Sequence, residues 1–338
     1  MKPATVPRDD QRDQRLLHID VERHSLSDGY LRNLPELLVP GDLLVLNDAA
    51  TLPASLWLLD GSAEVRLLGR AERAGHFNAL LFGAGDHHTP TEARGLPPVF
   101  QPGDTLHFAS DLNARVRHVD AEEPRLIQLV FQTSEPELWR ALYRAGRPVQ
   151  YSYIDGTLEL WHVQSRFAGR PWAVEPPSAG RPLTWQTLFE LRLRGVRLTS
   201  VTHAAGLSSS GSAAIDRRLP LPEAYFVAPG AAQALAEARQ TGGRIIAVGT
   251  TVVRALESAA SAGAGEVQAG EGTATLRIAP GFRPRVVSGL LTGMHEPGSS
   301  HFELMRAFAH DELLERALEH AESGDYLAHE FGDSCLIA

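Results

Sequence analysis

Gly242-Gly243-Arg244-Ile245-Ile246-Ala247-Val248-Gly249-Thr250-Thr251-Val252-Val253-Arg254-Ala255-Leu256-Glu257-Ser258 is the stretch whose residue types and spacing come closest to chemistry. An apolar strand running through Gly249 into a helix aims free backbone N–H groups and the hydroxyls of Thr250 and Thr251 past the strand end. That arrangement suits a carboxylate or a phosphate. Arg254 and Glu257 stand one helical turn apart, and taken alone they read as a surface pair contributing roughly 0.2–0.5 kcal/mol. Three other segments place small or hydroxyl residues after an apolar run, where loops build ligand sites. They are Pro177-Ser178-Ala179-Gly180, His203 with Gly206-Leu207-Ser208-Ser209-Ser210-Gly211, and Thr292-Gly293-Met294-His295-Glu296-Pro297-Gly298-Ser299-Ser300. Singly, His203 and His295 read as structural imidazoles, and Ser299 or Ser300 as a cap for a helix over 302–308.

The elements that must position these residues follow from local pattern. Pro40-Gly41-Asp42 is a turn feeding the apolar strand Leu43-Leu44-Val45-Leu46, which ends on Asn47 and Asp48, a good place for a ligand. From about 56 to 131 short strands recur at 63–68, 77–82, 105–108, 114–119 and 126–131, split by Gly, Pro, Asp and His, as in a small barrel or sandwich. Beyond Tyr151 strands and amphipathic helices alternate, the grammar of an α/β domain. Thr184 caps a helix through Leu193 with Leu188 and Leu191 inward, Gly195 ends it, and a strand over 196–202 leaves His203 at its carboxyl end. A second strand over 244–248 leads into a helix carrying Val253, Leu256 and Ala260 on one face, and 261–272 reads as a loop or flexible linker.

Composition sets outer limits. A chain of 338 residues that is 43% hydrophobic and 22% charged is ordinary globular material, long enough for about two domains. The single Cys335 has no internal disulfide partner, and the stretch 1–20 is rich in Arg and Asp with no apolar run, so cytoplasm is expected and a membrane is not. A net charge of -9 argues mildly against nucleic acid, although every basic side chain except Lys2 is Arg, the better forked donor to phosphate or carboxylate. His87-His88 lies in a loop without partners at ligand spacing, so no metal is expected.

In this order and spacing the segments resemble the S-adenosylmethionine:tRNA ribosyltransferase-isomerase family of queuosine synthesis, across nearly the whole chain. The match comprises Arg12-Asp13 with Arg15-Leu16-Leu17, the run from Pro40 to Asp48, Gln164, Pro177 to Gly180, His203, Glu223 with Tyr225, and the near-complete 242–258 block. It continues through Thr292, His295, Pro297 and Ser299 to Tyr326 and Gly332-Asp333. The resemblance implies an α/β fold interrupted by an inserted six-stranded antiparallel β-barrel, placed here at 58–151 between halves at 1–57 and 152–338. It also implies transfer and isomerisation of the ribosyl part of S-adenosylmethionine onto a 7-aminomethyl-7-deazaguanine base in tRNA. Epoxyqueuosine forms, and adenine and methionine leave. S-adenosylmethionine is then a substrate, no cofactor is needed, and a monomer is expected.

Within that frame the expected catalytic residues are Asp48, His203, Glu223 and His295. Asp48 or Glu223 takes a proton from the ribose carbon that the sulfonium acidifies, and His295 donates to departing adenine. Arg15, Asn47, Ser178, Gly180, Gly249, Thr250, Thr251, Arg254, Ser299 and Asp333 are expected to bind substrate, Arg254 with the helix start holding the methionine carboxylate. The chain departs from the family pattern at several points. Asn-Asp-Thr-Arg becomes Asn47-Asp48-Ala49-Ala50, a later arginine becomes Ser55, and Ala-Gly-Leu-His-Phe becomes Ala179-Gly180-Arg181-Pro182-Leu183. The paired histidines before Glu223 become Arg218 and Leu221. Two other readings stay open on the sequence: a paralogue using the same donor on another acceptor, and a nucleoside-binding protein without turnover.

Overall fold

The computed structural model describes residues 1–70 and 75–338. Its centre is a nine-stranded sheet in the order Gly270–Ala274, Glu223–Val227, Arg197–His203, Leu43–Asn47, Ile245–Val248, Gly289–Gly293, Ser334–Ile337, Arg15–Asp20 and Ser25–Tyr30. The strands from Arg197–His203 to Gly289–Gly293 are mutually parallel, and their flanks are antiparallel. A parallel centre is buried on both faces, which explains why Leu43–Asn47 and Ile245–Val248 are apolar almost throughout rather than alternating. Successive side chains serve different cores. Leu43, Val45, Ile245 and Ala247 pack with the helices Pro229–Gln240 and Thr250–Ala262, while Leu44, Leu46, Ile246 and Val248 pack with Leu188 and Leu191 of the helix Trp185–Leu193. That last helix starts as its sequence specifies, with the Thr184 hydroxyl accepting from the Thr187 N–H at 3.2 Å.

The inserted unit is a six-stranded antiparallel sheet in the order Ser55–Trp57, Ala63–Arg70, His76–Gly83, Leu126–Phe131, Asn113–Val119 and Thr105–His107. A bridge between Leu58 and Phe108, with Leu59 N–H donating to the His107 carbonyl at 3.0 Å, closes it into a barrel. Phe77, Phe108 and Phe131 pack together in the interior, and Leu138 and Leu142 of the helix Glu135–Ala145 join the same core. Ser55 and Arg147 exchange backbone hydrogen bonds at 2.9 Å in both directions, so the chain enters and leaves the barrel at one point. The barrel's first strand therefore starts at Ser55, upstream of residue 58. No helix of the described residues is long and apolar enough to cross a membrane.

Two sequence expectations are corrected. The stretch 261–272 is not simply a loop: the preceding helix runs to Ala262, and Gly270–Ala274 is an edge strand paired along Glu223–Val227. An edge strand needs one row of backbone partners and little side-chain packing, so its glycine-rich composition gives no strand signal. Arg254 and Glu257 are not a surface pair, since both are buried and each binds elsewhere. Glu257 accepts the N–H groups of Arg285, Val286 and Val287 at 2.9, 3.0 and 3.1 Å, fastening the segment that enters the strand Gly289–Gly293. Glu257→Ala strips the acceptor from these amides and should lower the unfolding free energy by about 3 kcal/mol in urea titrations. A loss below about 0.5 kcal/mol would mean that the segment finds other acceptors.

Candidate active site

The carboxyl ends of the parallel strands lie along one edge of the sheet, where open α/β sheets form ligand crevices. A cavity of about 310 Å³ sits there, walled by the segments 175–179, 205–208, 248–251, 277–280 and 300–304, with Glu223, Arg254, Thr292 and His295. Of the expected catalytic and substrate-binding residues, Ser178, Glu223, Gly249, Thr250, Thr251, Arg254 and His295 line this cavity. Gly249 turns the strand into the helix Thr250–Ala262 at φ +92°, a backbone that a side chain adopts only with strain. The first N–H groups of that helix have no intrahelical acceptor and carry the positive end of its dipole.

Asn47 and Glu223 tie the strand ends together. The Asn47 amide donates to the His203 carbonyl at 3.1 Å and the Thr251 hydroxyl at 3.2 Å, and its oxygen accepts from the N–H groups of His203 at 2.9 Å and Ala49 at 3.1 Å. It is buried and acts as a brace behind the cavity wall. Glu223 accepts from the Gly206 N–H at 2.6 Å through Oε1 and from Arg254 through Oε2. A Cβ at 206 would stand 2.8 Å from that same oxygen, so a side chain there would push the Glu223 carboxylate aside. Arg254 also donates to the carbonyls of Ala274 at 3.1 Å, Leu276 at 3.3 Å and Leu221 at 3.4 Å, so each nitrogen of its guanidinium has an acceptor in the protein. Burial, with the charge of Arg277, lowers Arg254 to about 10, which leaves it charged at neutral pH. His203 lies behind this pair, fully buried, with Nε2 3.3 Å from Glu223 Oε2 and no hydrogen bond from either ring nitrogen to a described residue. Desolvation, reinforced by Arg254, pushes its pKa down to about 3, so the ring is neutral.

The opposite wall carries His295, whose Nε2 is 2.8 Å from the Thr292 hydroxyl and whose ring stacks on His301 at 4.8 Å. Burial and the neighbouring rings of His301 and His329 hold His295 well below its ordinary value, so it too is neutral at neutral pH. The sequence reading missed His301 and, above all, Glu175. Glu175 lines the cavity, and Oε1 accepts from the Ser208 N–H at 2.9 Å, the Ser208 hydroxyl at 3.2 Å and the Tyr151 hydroxyl. Burial raises its pKa to about 7. The only signal available was a carboxylate directly before Pro176-Pro177, at the mouth of a segment already singled out.

The remaining expected residues are placed elsewhere. Asp48 does not line the cavity: its oxygens accept from the hydroxyls of Ser200 at 2.8 Å and Thr202 at 2.6 Å. Gly180 packs under the Phe167 ring, which a Cβ would meet at 2.8 Å. Ser299 caps the helix Ser300–Met305, accepting from the Phe302 N–H at 3.2 Å. Asp333 is buried and binds Arg8 at 2.6 Å, the Leu327 N–H at 2.8 Å and the Arg15 N–H at 3.0 Å. Arg15 itself lies over the Tyr326 ring, 3.7 Å from its centre. These groups fasten the amino-terminal strand to the carboxyl-terminal segment.

Comparison with known proteins places the chain in a family. A family model described as queuosine biosynthesis protein matches residues 2–337. This chain belongs to that family. Among relatives of the queuosine biosynthesis protein family, the S-adenosylmethionine:tRNA ribosyltransferase-isomerase of Geobacter sulfurreducens is 34% identical over 338 residues, spanning 97% of this chain and 94% of its own length. The protein of the same name from Gloeobacter violaceus is 34% identical over 345 residues, spanning 99% and 92%. The crystal structure of S-adenosylmethionine tRNA ribosyltransferase from Thermotoga maritima shares the fold, with a TM-score of 0.53 at 24% identity over 99% of this chain and 96% of that one. Pro182 is buried off the cavity wall, and Arg181 beside it is buried over the Phe331 ring at 4.6 Å.

The neutral His203 gives this queuosine biosynthesis family member a pH signature. In the unfolded chain the imidazole takes up a proton below its ordinary 6.5, whereas in the fold it stays neutral down to about 3. The unfolded state binds more protons across that window, so stability falls as pH drops below 6.5, by up to about 1.4 kcal/mol per unit. Between pH 7 and 5, wild type should lose about 2 kcal/mol more than His203→Gln in urea titrations. Equal losses would show that the folded imidazole gains a proton there after all, with Glu223 at 3.3 Å as its partner.

Proposed function

We propose that this chain transfers and isomerises the ribosyl part of S-adenosylmethionine onto a 7-aminomethyl-7-deazaguanine base in tRNA, giving epoxyqueuosine with release of adenine and methionine. Support comes foremost from relatedness over nearly the full length to ribosyltransferase-isomerases at 34% identity. The cavity adds chemical sense to it, because the family's 242–258 block and its His295 turn wall the same space. S-adenosylmethionine enters as a substrate rather than a resident cofactor, and the chain works as a cytoplasmic monomer on tRNA carrying the deazaguanine precursor.

In this reading the helix start at Thr250 and Thr251 takes the methionine carboxylate, with backbone N–H groups and hydroxyls as donors. Arg254 does not reach for that carboxylate, since Glu223 and three backbone carbonyls hold its guanidinium. Its part is to fix Glu223 and the edge strands that close the cavity. His295, neutral and partly exposed to the cavity, is suited to hydrogen-bond departing adenine without adding charge. Glu223 has both oxygens engaged by protein donors, and Asp48 faces two hydroxyls away from the cavity, so neither is free to take the ribose proton.

Incubation with S-adenosylmethionine and tRNA bearing the deazaguanine precursor should release one adenine per modified tRNA, and tRNA lacking the precursor should release none. Thr250→Ala should weaken S-adenosylmethionine by roughly tenfold in calorimetry, as expected for one lost hydrogen bond to a charged group. Tight binding of S-adenosylmethionine with no adenine from any tRNA would make the protein a nucleoside binder. Adenine release that requires a different acceptor would make it a paralogue with the same donor.

A further inference from the structure

Glu175 is the cavity carboxylate without an ion-pair partner among the described residues, with Arg66 the cation whose charge reaches it through space. It follows the strand Arg170–Ala173 and precedes Pro176, whose ring disfavours helical backbone at 175 and so helps hold that residue extended. Tyr151 and Ser208 hold Oε1, whereas Oε2 accepts from no described residue and is not among the sequestered atoms. Among the described residues Glu175 makes no salt bridge. Arg66, whose guanidinium lies 5.6 Å from the centre of the Tyr151 ring, has its fork on Glu64 at 2.9 and 3.2 Å. Around it stand Tyr153 and Glu330, which are bonded to each other, and across the cavity Glu223 with Arg254, Arg277, His295, His301 and Glu303. Arg254 and Glu303 are themselves paired, to Glu223 and Arg306.

Resting on the ribosyl-transfer reading above, we propose that Glu175 is the proton acceptor of this site, with Tyr151 and Ser208 as positioning residues that occupy one oxygen and leave the other for substrate. The proton on the ribose carbon next to sulfur passes to Glu175 Oε2, and the electron pair of the broken C–H bond stays on that carbon beside the positive sulfur. A carboxylate and a sulfonium thus become a neutral acid and a neutral ylide. No net charge is created in a half-buried site, which is why an unpaired carboxylate suits the step better than one already bound to Arg254. The neutral acid then carries the proton available to the leaving base. Burial sets Glu175 near neutrality at about 7, with the Tyr151 hydrogen bond pulling the other way. The group is therefore matched to accept and return a proton at neutral pH.

The test is single-turnover adenine release at saturating S-adenosylmethionine and precursor tRNA across pH 5.5–9, with donor affinity measured in parallel. Wild type should show a rate that rises with pH through about 7 and then levels. Glu175→Gln should release adenine at least roughly 10²-fold more slowly and lose that limb, while its affinity for S-adenosylmethionine changes less than about threefold. Glu175→Asp should recover part of the rate, and Tyr151→Phe should shift the limb to higher pH because the ionised carboxylate loses a donor. A Glu175→Gln protein as fast as wild type, or with the same limb, overturns the role of Glu175 and leaves the ribosyl-transfer reading standing. A wild type that binds donor but never releases adenine overturns both.

Discussion

The ion pair between Glu223 and Arg254 ties the antiparallel edge of the sheet to the helix that follows Gly249. Glu223 opens one antiparallel strand, Arg254 rides the helix that follows Gly249, and the carbonyls of Leu221, Ala274 and Leu276 converge on the same guanidinium. Both partners are buried, and a buried pair gains stability only when its remaining hydrogen-bonding capacity is also satisfied. Here the second Glu223 oxygen is satisfied by the Gly206 N–H, at a position where a Cβ would crowd that oxygen at 2.8 Å. The pair thus dictates where the loop after His203 can run. Breaking it would leave one buried charge uncompensated, at about 3–5 kcal/mol.

The barrel has a comparable part in shaping the cavity. Its core takes in Leu207 and Ile215 from the loop beyond His203, and Arg125 donates to the Ser210 carbonyl at 2.9 Å. The serine-rich loop is thereby held over the crevice by a unit that contributes few side chains to it. Within the barrel Glu64 binds Arg66, Arg94 and Ser55, and the Arg66 guanidinium faces Tyr151. Tyr151 in turn donates to Glu175. A chain of buried side chains therefore runs from the barrel strand Ala63–Arg70 through Tyr151 to Glu175 on the cavity wall.

The layer order was legible because its signals are local. Thr184 caps its helix, Gly249 turns strand into helix, and the barrel strands alternate between turn residues. The position of the cavity was legible for the same reason, since residues after apolar strands fall at one sheet edge once the strands are parallel. What stayed hidden was the choice among long-range partners. Helical spacing put Arg254 beside Glu257, yet burial sent Arg254 to Glu223 and Glu257 to the amides at 285–287. Asp48, at the end of a central strand, looked poised for chemistry, but the neighbouring strand presents Ser200 and Thr202 to it. Glu175 carried no motif at all, and its exposure to the cavity and its burial arise only from the meeting of Tyr151, Ser208 and the Pro176-Pro177 turn.

The proposed reaction requires the donor to lie in this cavity, in one orientation. A crystal structure of the protein with S-adenosylmethionine tests that most directly. The methionine carboxylate should rest on the N–H groups at Thr250 and Thr251, the ribose beside Glu175, and the adenine against His295. A carboxylate displacing Glu223 from Arg254 would contradict the assignment of that pair. Donor bound instead in the polar crevice of the barrel between Ser110 and Arg144 would contradict the account altogether.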